Sequence, residues 1–360
     1  MKPRKNISYF CAKVKNMSER TEIASLGEFG LIEHLTRENE TRNVSTVLSI
    51  GDDAAVIDTF GKQMVVTTDM LVEGVHFDLM YTPLKHLGYK AVIVNLSDIY
   101  AMNAEPTQIT LSIAVSNRFS VEALDEFYDG VNLACERYGV DLVGGDTTSS
   151  QKGFVISVTA IGEVEENKFV TRSGAKENDL ICVTGDLGAS YLGLLLMERE
   201  KQIYVENPNI QPNFENHTYI IERLLKPEAR RKMIAWFKEN NLTPTSMIDI
   251  SDGLSSELLH ICKQSEVGCT IYEEKLPVHE QTKEGAAKFG IAATTCALNG
   301  GEDYELLFTI SPDDFEKVKE CELLNIIGHI TKPEDGKVLI TNGNNRIELS
   351  AQGWNHLKNK

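Results

Sequence analysis

Apolar positions along the chain change period several times, and each change marks an element. Phe29, Ile32 and Leu35 recur at helical spacing and predict a helix over 27–38. Val47 to Ile57 and Met64 to Met70 predict strands, broken by Gly51-Asp52-Asp53. Pro83 suits the first turn of a long helix ending near Met102. Thr107 to Val115 alternates as a strand does, and Val121 to Arg137 is amphipathic with Gly139 as its stop. Strands at 140–143 and 154–164 follow.

The polar stretch Thr171-Arg172-Ser173-Gly174-Ala175-Lys176 predicts a connector between two halves. Beyond it the pattern predicts strands at 180–184, 247–250, 269–273, 304–310 and 326–330. Helices are expected at 189–199, 219–225, 228–239, 254–263 and 313–320, and a proline- and asparagine-rich surface loop at 205–217. The expected division is an extension over 1–24, a first domain over 25–168 and an α+β domain over 169–360. Met17 is an alternative start, which would make 1–16 an added basic tail.

Composition narrows the class. A chain of 360 residues with 42% hydrophobic and 25% charged positions has enough apolar surface for a core without staples. No apolar run approaches the ~20 residues of a membrane span. A net charge of −17 opposes binding to nucleic acid or anionic membranes. Seven cysteines without a C-x-x-C pair argue for reduced, packed thiols and a cytoplasmic location, not a zinc site.

One chemical pattern recurs: small residues beside an acid. It appears in Gly51-Asp52-Asp53, Thr67-Thr68-Asp69, Asn95-Leu96-Ser97-Asp98, Gly144-Gly145-Asp146, Asp249-Ile250-Ser251-Asp252-Gly253 and Gly300-Gly301-Glu302-Asp303. Each acid alone reads as a helix cap or turn residue. Together they would repel one another unless a cation intervened. Oxygen donors without His/Cys spacing suit Mg²⁺, Mn²⁺ or Ca²⁺, and Mg²⁺ bridges carboxylates to phosphates. The usual phosphate loops, G-x-x-x-x-G-K-[ST] and G-x-G-x-x-G, are absent. Arg172 is the cation in this region placed to meet a phosphate.

In this order, and with Thr68-Asp69-Met70-Leu71-Val72-Glu73-Gly74-Val75-His76-Phe77, Thr171-Arg172-Ser173-Gly174-Ala175 and Gly300-Gly301-Glu302-Asp303-Tyr304-Glu305-Leu306, the motifs resemble the thiamine-monophosphate kinase family over roughly residues 25–356. The resemblance implies the two-domain α/β (α+β) fold of the aminoimidazole ribonucleotide synthetase superfamily, and a homodimer built through the first domain. It implies transfer of the γ-phosphoryl of ATP to thiamine monophosphate with several Mg²⁺ ions. The matching positions put Asp53, Thr67, Thr68, Asp69, Asp98, Asp146 and Asp249 on metal, with Asp252 a further candidate. They put Gly145, Asp146, Arg172 and Ser251 on ATP, and His76, Glu302 and Trp354 on the acceptor. Asp69, Asp98 and Arg172 are the expected catalytic set. The acceptor is already an ionised phosphate monoester, so positioning and charge neutralisation carry the chemistry and no strong base is required.

The alternatives are other ATP-using enzymes of the superfamily, acting on a purine intermediate, on selenide or in hydrogenase maturation, and a non-catalytic nucleotide or metal sensor. Cys11 sits in a basic tail and not in a Gly-rich loop, and the chain ends Leu357-Lys358-Asn359-Lys360 without a cysteine. Both features count against the selenide and hydrogenase readings. The full acid set counts against a mere sensor.

Overall fold

The computed structural model describes residues 34–48, 56–59 and 61–351. Asp53 and Trp354, and most of the helix expected at 27–38, fall outside them. Two mixed sheets organise the chain, so the expected α/β class holds.

A short pair, β1 (Thr46–Leu48) and β2 (Val56–Ile57), is antiparallel and forms a ladder of its own, tied to the first sheet by the Thr46 hydroxyl, which donates to Asp141 across 2.8 Å. The first sheet contains β3 (Gln63–Val72), β4 (Glu105–Val115), β5 (Asp141–Ser149) and β6 (Val155–Val164), in the order β3-β6-β4-β5. Only the β4–β5 pair is parallel. Helix α1 (Leu84–Ala101) joins β3 to β4, and α2 (Val121–Tyr138) joins β4 to β5. The two helices cross at glycines: a Cβ on Gly88 would lie 1.9 Å from the carbonyl oxygen of Phe127, and one on Gly130 would lie 1.9 Å from that of Lys85. Any larger residue would force the backbones apart.

The two helices differ in pattern for a reason. Helix α2 is amphipathic, is capped by the Ser120 hydroxyl accepting from the Ala123 amide, and ends at Gly139 with φ 70°. Helix α1 is buried nearly all round, from Leu87 through Ala101 with the exception of Asp98. It is a central helix covered on several sides, so it lacks a polar stripe.

The second sheet has the order β13-β12-β9-β11-β7-β10-β8. Its strands are β7 (Leu180–Thr184), β8 (Ser246–Asp249), β9 (Gly268–Tyr272), β10 (Leu306–Ile310), β11 (Leu324–Thr331), β12 (Lys337–Ile340) and β13 (Arg346–Glu348). All pairs are antiparallel except β12 with β9. Helices α3 (Ala189–Glu206), α4 (Thr218–Leu225), α5 (Arg231–Glu239), α6 (Leu254–Ser265), α7 (Glu280–Lys288) and α8 (Ala293–Asn299) accompany it, with a single turn, α9 (Phe315–Val318), before β11.

Several expectations need correction. Strand β5 runs to Ser149, so Gly144-Gly145-Asp146 lies within a strand and not in a turn after it. Helix α3 continues to Glu206, past the expected stop at 199. Helices α7 and α8 and strands β12 and β13 were not anticipated.

One apolar core runs across the two sheets. Ile93, Leu96, Tyr100 and Phe127 from the first half share it with Phe237, Met247, Leu306 and Phe308 from the second. At about 25 cal/mol per Å² of apolar area removed from water, such a shared core holds α1 firmly against β8. The far side of β3 is different. Met64, Val66 and Met70 there are 40%, 61% and 57% exposed.

Candidate active site

Alternation along β3 decides which of its polar residues meet α1. Thr67, Asp69 and Leu71 share the covered face; Val66, Thr68 and Met70 share the open one. The Thr67 hydroxyl donates to Oδ2 of Asp98 across 2.7 Å, and the Asp69 amide donates to Oδ1 of Asn95 across 3.0 Å. Asp98 lies on the helix expected between Pro83 and Met102, one turn after Asn95.

The neighbouring residue on α1 reaches the other half of the molecule. The Ser97 hydroxyl donates to Oδ2 of Asp249, the last residue of β8, across 2.7 Å. Asp249 is 4% exposed and Ser97 1%. Three carboxyls from three elements thus come within reach of one another's fields.

Their ionisation records the crowding. Burial, then the Asp98 charge and a hydrogen bond with Asp98, push Asp69 up to about 6. Burial and the Asp98 charge push Asp249 up to about 7. Burial also raises Asp98, opposed by the Thr67 hydrogen bond and the positive charge of Arg172. The Arg172 charge also opposes the rise of Asp249. So the exposed Arg172 sits close enough to act on both acids. Its irregular segment is fixed by the Met247 amide, which donates to the Thr171 carbonyl across 2.9 Å.

The loop after β8 adds the next group. Ser251 is exposed, and its carbonyl accepts from the Glu302 amide across 2.7 Å. The Asp252 amide donates to Oε1 of Glu257 across 3.0 Å, just ahead of α6. Glu257 is 2% exposed, and burial pushes it up to about 8. Glu302 and Tyr304 carry φ of 63° and 50°, a left-handed backbone that non-glycine residues adopt at a cost of about 1–3 kcal/mol. The strain is held by neighbours on both sides. The Tyr304 amide donates to the Ile250 carbonyl across 2.9 Å, and the Ile250 amide donates to the Glu305 carbonyl across 2.7 Å.

Asp303 and Glu305 of the same motif have another task. Asp303 accepts from the Gly188 amide across 2.7 Å at the start of α3, and Glu305 accepts from Arg223 across 2.8 Å and from Thr184 across 2.6 Å. Both are fully buried, and this network anchors the loop that carries Glu302.

Not every residue named from the sequence joins this cluster. Asp146 pairs across the sheet with Ser112, and Ser112 with Ser157. That register puts Asp146 on the open face together with Thr68, whose hydroxyl donates to the Val158 carbonyl across 3.1 Å. Gly145 beside it is a close approach: a Cβ there would stand 1.8 Å from the Leu111 carbonyl oxygen. His76 lies in the turn after β3, where its Nδ1 accepts from the Val72 amide across 3.0 Å. That bond leaves a neutral ring's proton on Nε2.

Sequence reading passed over Asn95, Ser97 and Glu257. The first two lie inside a quoted motif and were discoverable there. Glu257 lies four residues beyond its motif, in a helical pattern that hides it.

Among the described residues, no three acidic, imidazole or thiol groups stand close enough as placed to hold a metal ion. The donor chemistry still suits a hard divalent cation. Asp69, Asp98, Asp249 and Thr67 offer only oxygen, and the Asp98 charge that helps raise Asp69 and Asp249 is a repulsion that a cation would relieve.

Comparison with known proteins adds a separate line of observation. Residues 51–164 match the family described as AIR synthase related protein, N-terminal domain. A thiamine-monophosphate kinase of Bacillus subtilis (strain 168) is 36% identical over 92% of this chain and 100% of its own length. One from Aquifex aeolicus (strain VF5) is also 36% identical, over 93% of this chain and 99% of its own. A solved structure of AaThiL complexed with AMPPCP and TMP superposes with a TM-score of 0.72 at 33% identity, covering 94% of this chain and 100% of that one.

Proposed function

Because the chain belongs to the thiamine-monophosphate kinase family, we propose that it transfers the γ-phosphoryl of ATP to thiamine monophosphate, yielding thiamine diphosphate and ADP. The observation that carries this reading is full-length similarity to kinases of that name, joined to a cluster of acids drawn from both halves of the chain.

The residue assignments follow from the chemistry of such a transfer. Asp69, Asp98 and Asp249, with the Thr67 hydroxyl, would hold Mg²⁺; Asp53 and Asp252 are further proposed ligands, and Thr68 and Asp146, on the open face of the first sheet, are proposed for an ion not shared with Asp69. Mg²⁺, when bound, supplies the positive charge that lets carboxylates and a polyphosphate share a site. Arg172 meets phosphate oxygens in the same field that now moderates Asp98 and Asp249. Ser251 and Gly145 present backbone and hydroxyl groups to the nucleotide. His76, Glu302 and Trp354 form the acceptor side. Strain at Glu302 and Tyr304 supports a functional role for that loop, since backbone in a costly region persists where position matters. No residue is assigned as a proton acceptor, because the attacking phosphate is already an anion.

The division into 1–24, 25–168 and 169–360 is part of this proposal, as is a homodimer through the open face of the first sheet. Three exposed apolar side chains on one strand, Met64, Val66 and Met70, support it. Among the described residues no helix is long and apolar enough to cross a membrane. A cytoplasmic site of action is proposed from the reduced thiols, with five of the six described cysteines buried.

The test is nucleotide turnover measured with and without thiamine monophosphate. ADP release that depends on this acceptor, and not on thiamine or an unrelated phosphate monoester, supports the reading. Acceptor-independent release overturns it.

A further inference from the structure

Lys90 occupies α1 eight positions before Asp98, within the apolar run Gly88 to Val94. Its side chain is only 7% exposed. A buried ammonium is costly unless it is met by charge and by hydrogen-bond acceptors. Both are present. Nζ donates to Oε2 of Glu302 across 2.9 Å and to the Leu224 carbonyl across 3.2 Å.

Glu302 is the point where three parts of the molecule meet. Its amide is tied to Ser251, its strained φ of 63° is fixed by the loop, and its carboxylate is tied to α1. The side chain keeps 29% exposure while Oε2 is committed to Lys90. A glutamate has several rotamers to choose from, and an exposed one would sample them. A buried, doubly bonded ammonium removes that freedom before any ligand arrives.

We propose that Lys90 is a positioning residue for the phosphoryl acceptor: it holds the Glu302 carboxylate in one orientation and cancels part of its charge. The acceptor then meets an oriented hydrogen-bond partner and not a freely moving anion. This rests on the reading that Glu302 faces the acceptor. Lys90 itself touches no reacting atom in this account.

The experiment compares Lys90→Met, Lys90→Gln, Glu302→Gln and the double variant Lys90→Met/Glu302→Gln, with melting curves beside full kinetics. Lys90→Met keeps most of the apolar stem and removes the ammonium. Its expected effect is a KM for thiamine monophosphate raised about tenfold, with kcat within about threefold and KM for ATP unchanged. Lys90→Gln, which keeps a donor, should recover part of that loss and serves if the Met variant does not fold. The double variant should be no worse than Glu302→Gln alone, since Lys90 acts through that carboxylate.

A wild-type KM in both Lys90 variants while Glu302→Gln is impaired overturns the role of Lys90 and leaves Glu302 at the acceptor. Losses that add in the double variant overturn it as well. A wild-type KM in Glu302→Gln removes Glu302 from the acceptor side and this inference with it.

Discussion

The hydroxyl of Ser97 donates to Oδ2 of Asp249 across 2.7 Å, joining a helix of the first half to the end of a strand in the second. Both groups are buried, so water cannot replace either partner. The bond fixes where the two halves of the acid cluster stand relative to each other. Ser97→Ala should cost about 1–3 kcal/mol, the scale for leaving a buried polar group unsatisfied. Turnover should fall with stability, because Asp249 then loses its anchor. A melting temperature and turnover both at the wild-type level would remove this bond from the account.

Asp98 is the acid whose field raises the two others. Asp98→Asn keeps the shape and removes the charge. Turnover is expected to fall at least ~100-fold, the scale of losing a key electrostatic contact. The metal-free protein should melt no lower than wild type, because repulsion has been relieved. Near-normal turnover would take Asp98 out of the site.

The raised carboxyls set the pH dependence of the metal-free protein. Asp69 and Asp249 titrate near 6 and 7 when folded, above their ordinary value of 3.8. The folded state then binds more protons than the unfolded chain across that interval. Stability is present in full below the unfolded value and declines as pH rises through the folded ones. Glu257, pushed up to about 8, extends the decline. Melting curves in chelator should therefore fall between about pH 4 and 8, and Mg²⁺ should recover stability most at the alkaline end. A metal-free melting temperature that climbs over this range would contradict the crowded-acid picture.

The open face of β3 predicts the assembly. Val66 is 61% exposed there. Val66→Glu should leave the monomer folded and shift sedimentation from dimer to monomer at tens of micromolar protein. The same sedimentation for wild type and variant would place the interface elsewhere.

Much of this was legible in the residues. The alternation of β4, and the amphipathic period of α2 with its Gly139 stop, carried over to the structure. Other features were hidden for physical reasons. Helix α1 was expected from Pro83 to Met102, but it is covered on several sides, so no polar stripe shows that Ser97 and Asp98 meet different partners. Strand β5 carries two glycines and an acid, which sequence preference assigns to a turn. The opposite facing of Asp69 and Asp146 depends on register between strands, and register is a property of pairing that a single segment does not reveal. Lys90 was invisible because a lone lysine in an apolar helix shows its role only through Glu302, 212 positions away.

The central claim is the identity of the acceptor and of the product. Purified protein given Mg·ATP and thiamine monophosphate should form thiamine diphosphate, identified by mass, in one-to-one step with ADP, and should stop when chelator is added. Steady ADP release with no thiamine diphosphate, or no turnover of either substrate by folded protein in excess Mg²⁺, would contradict the account.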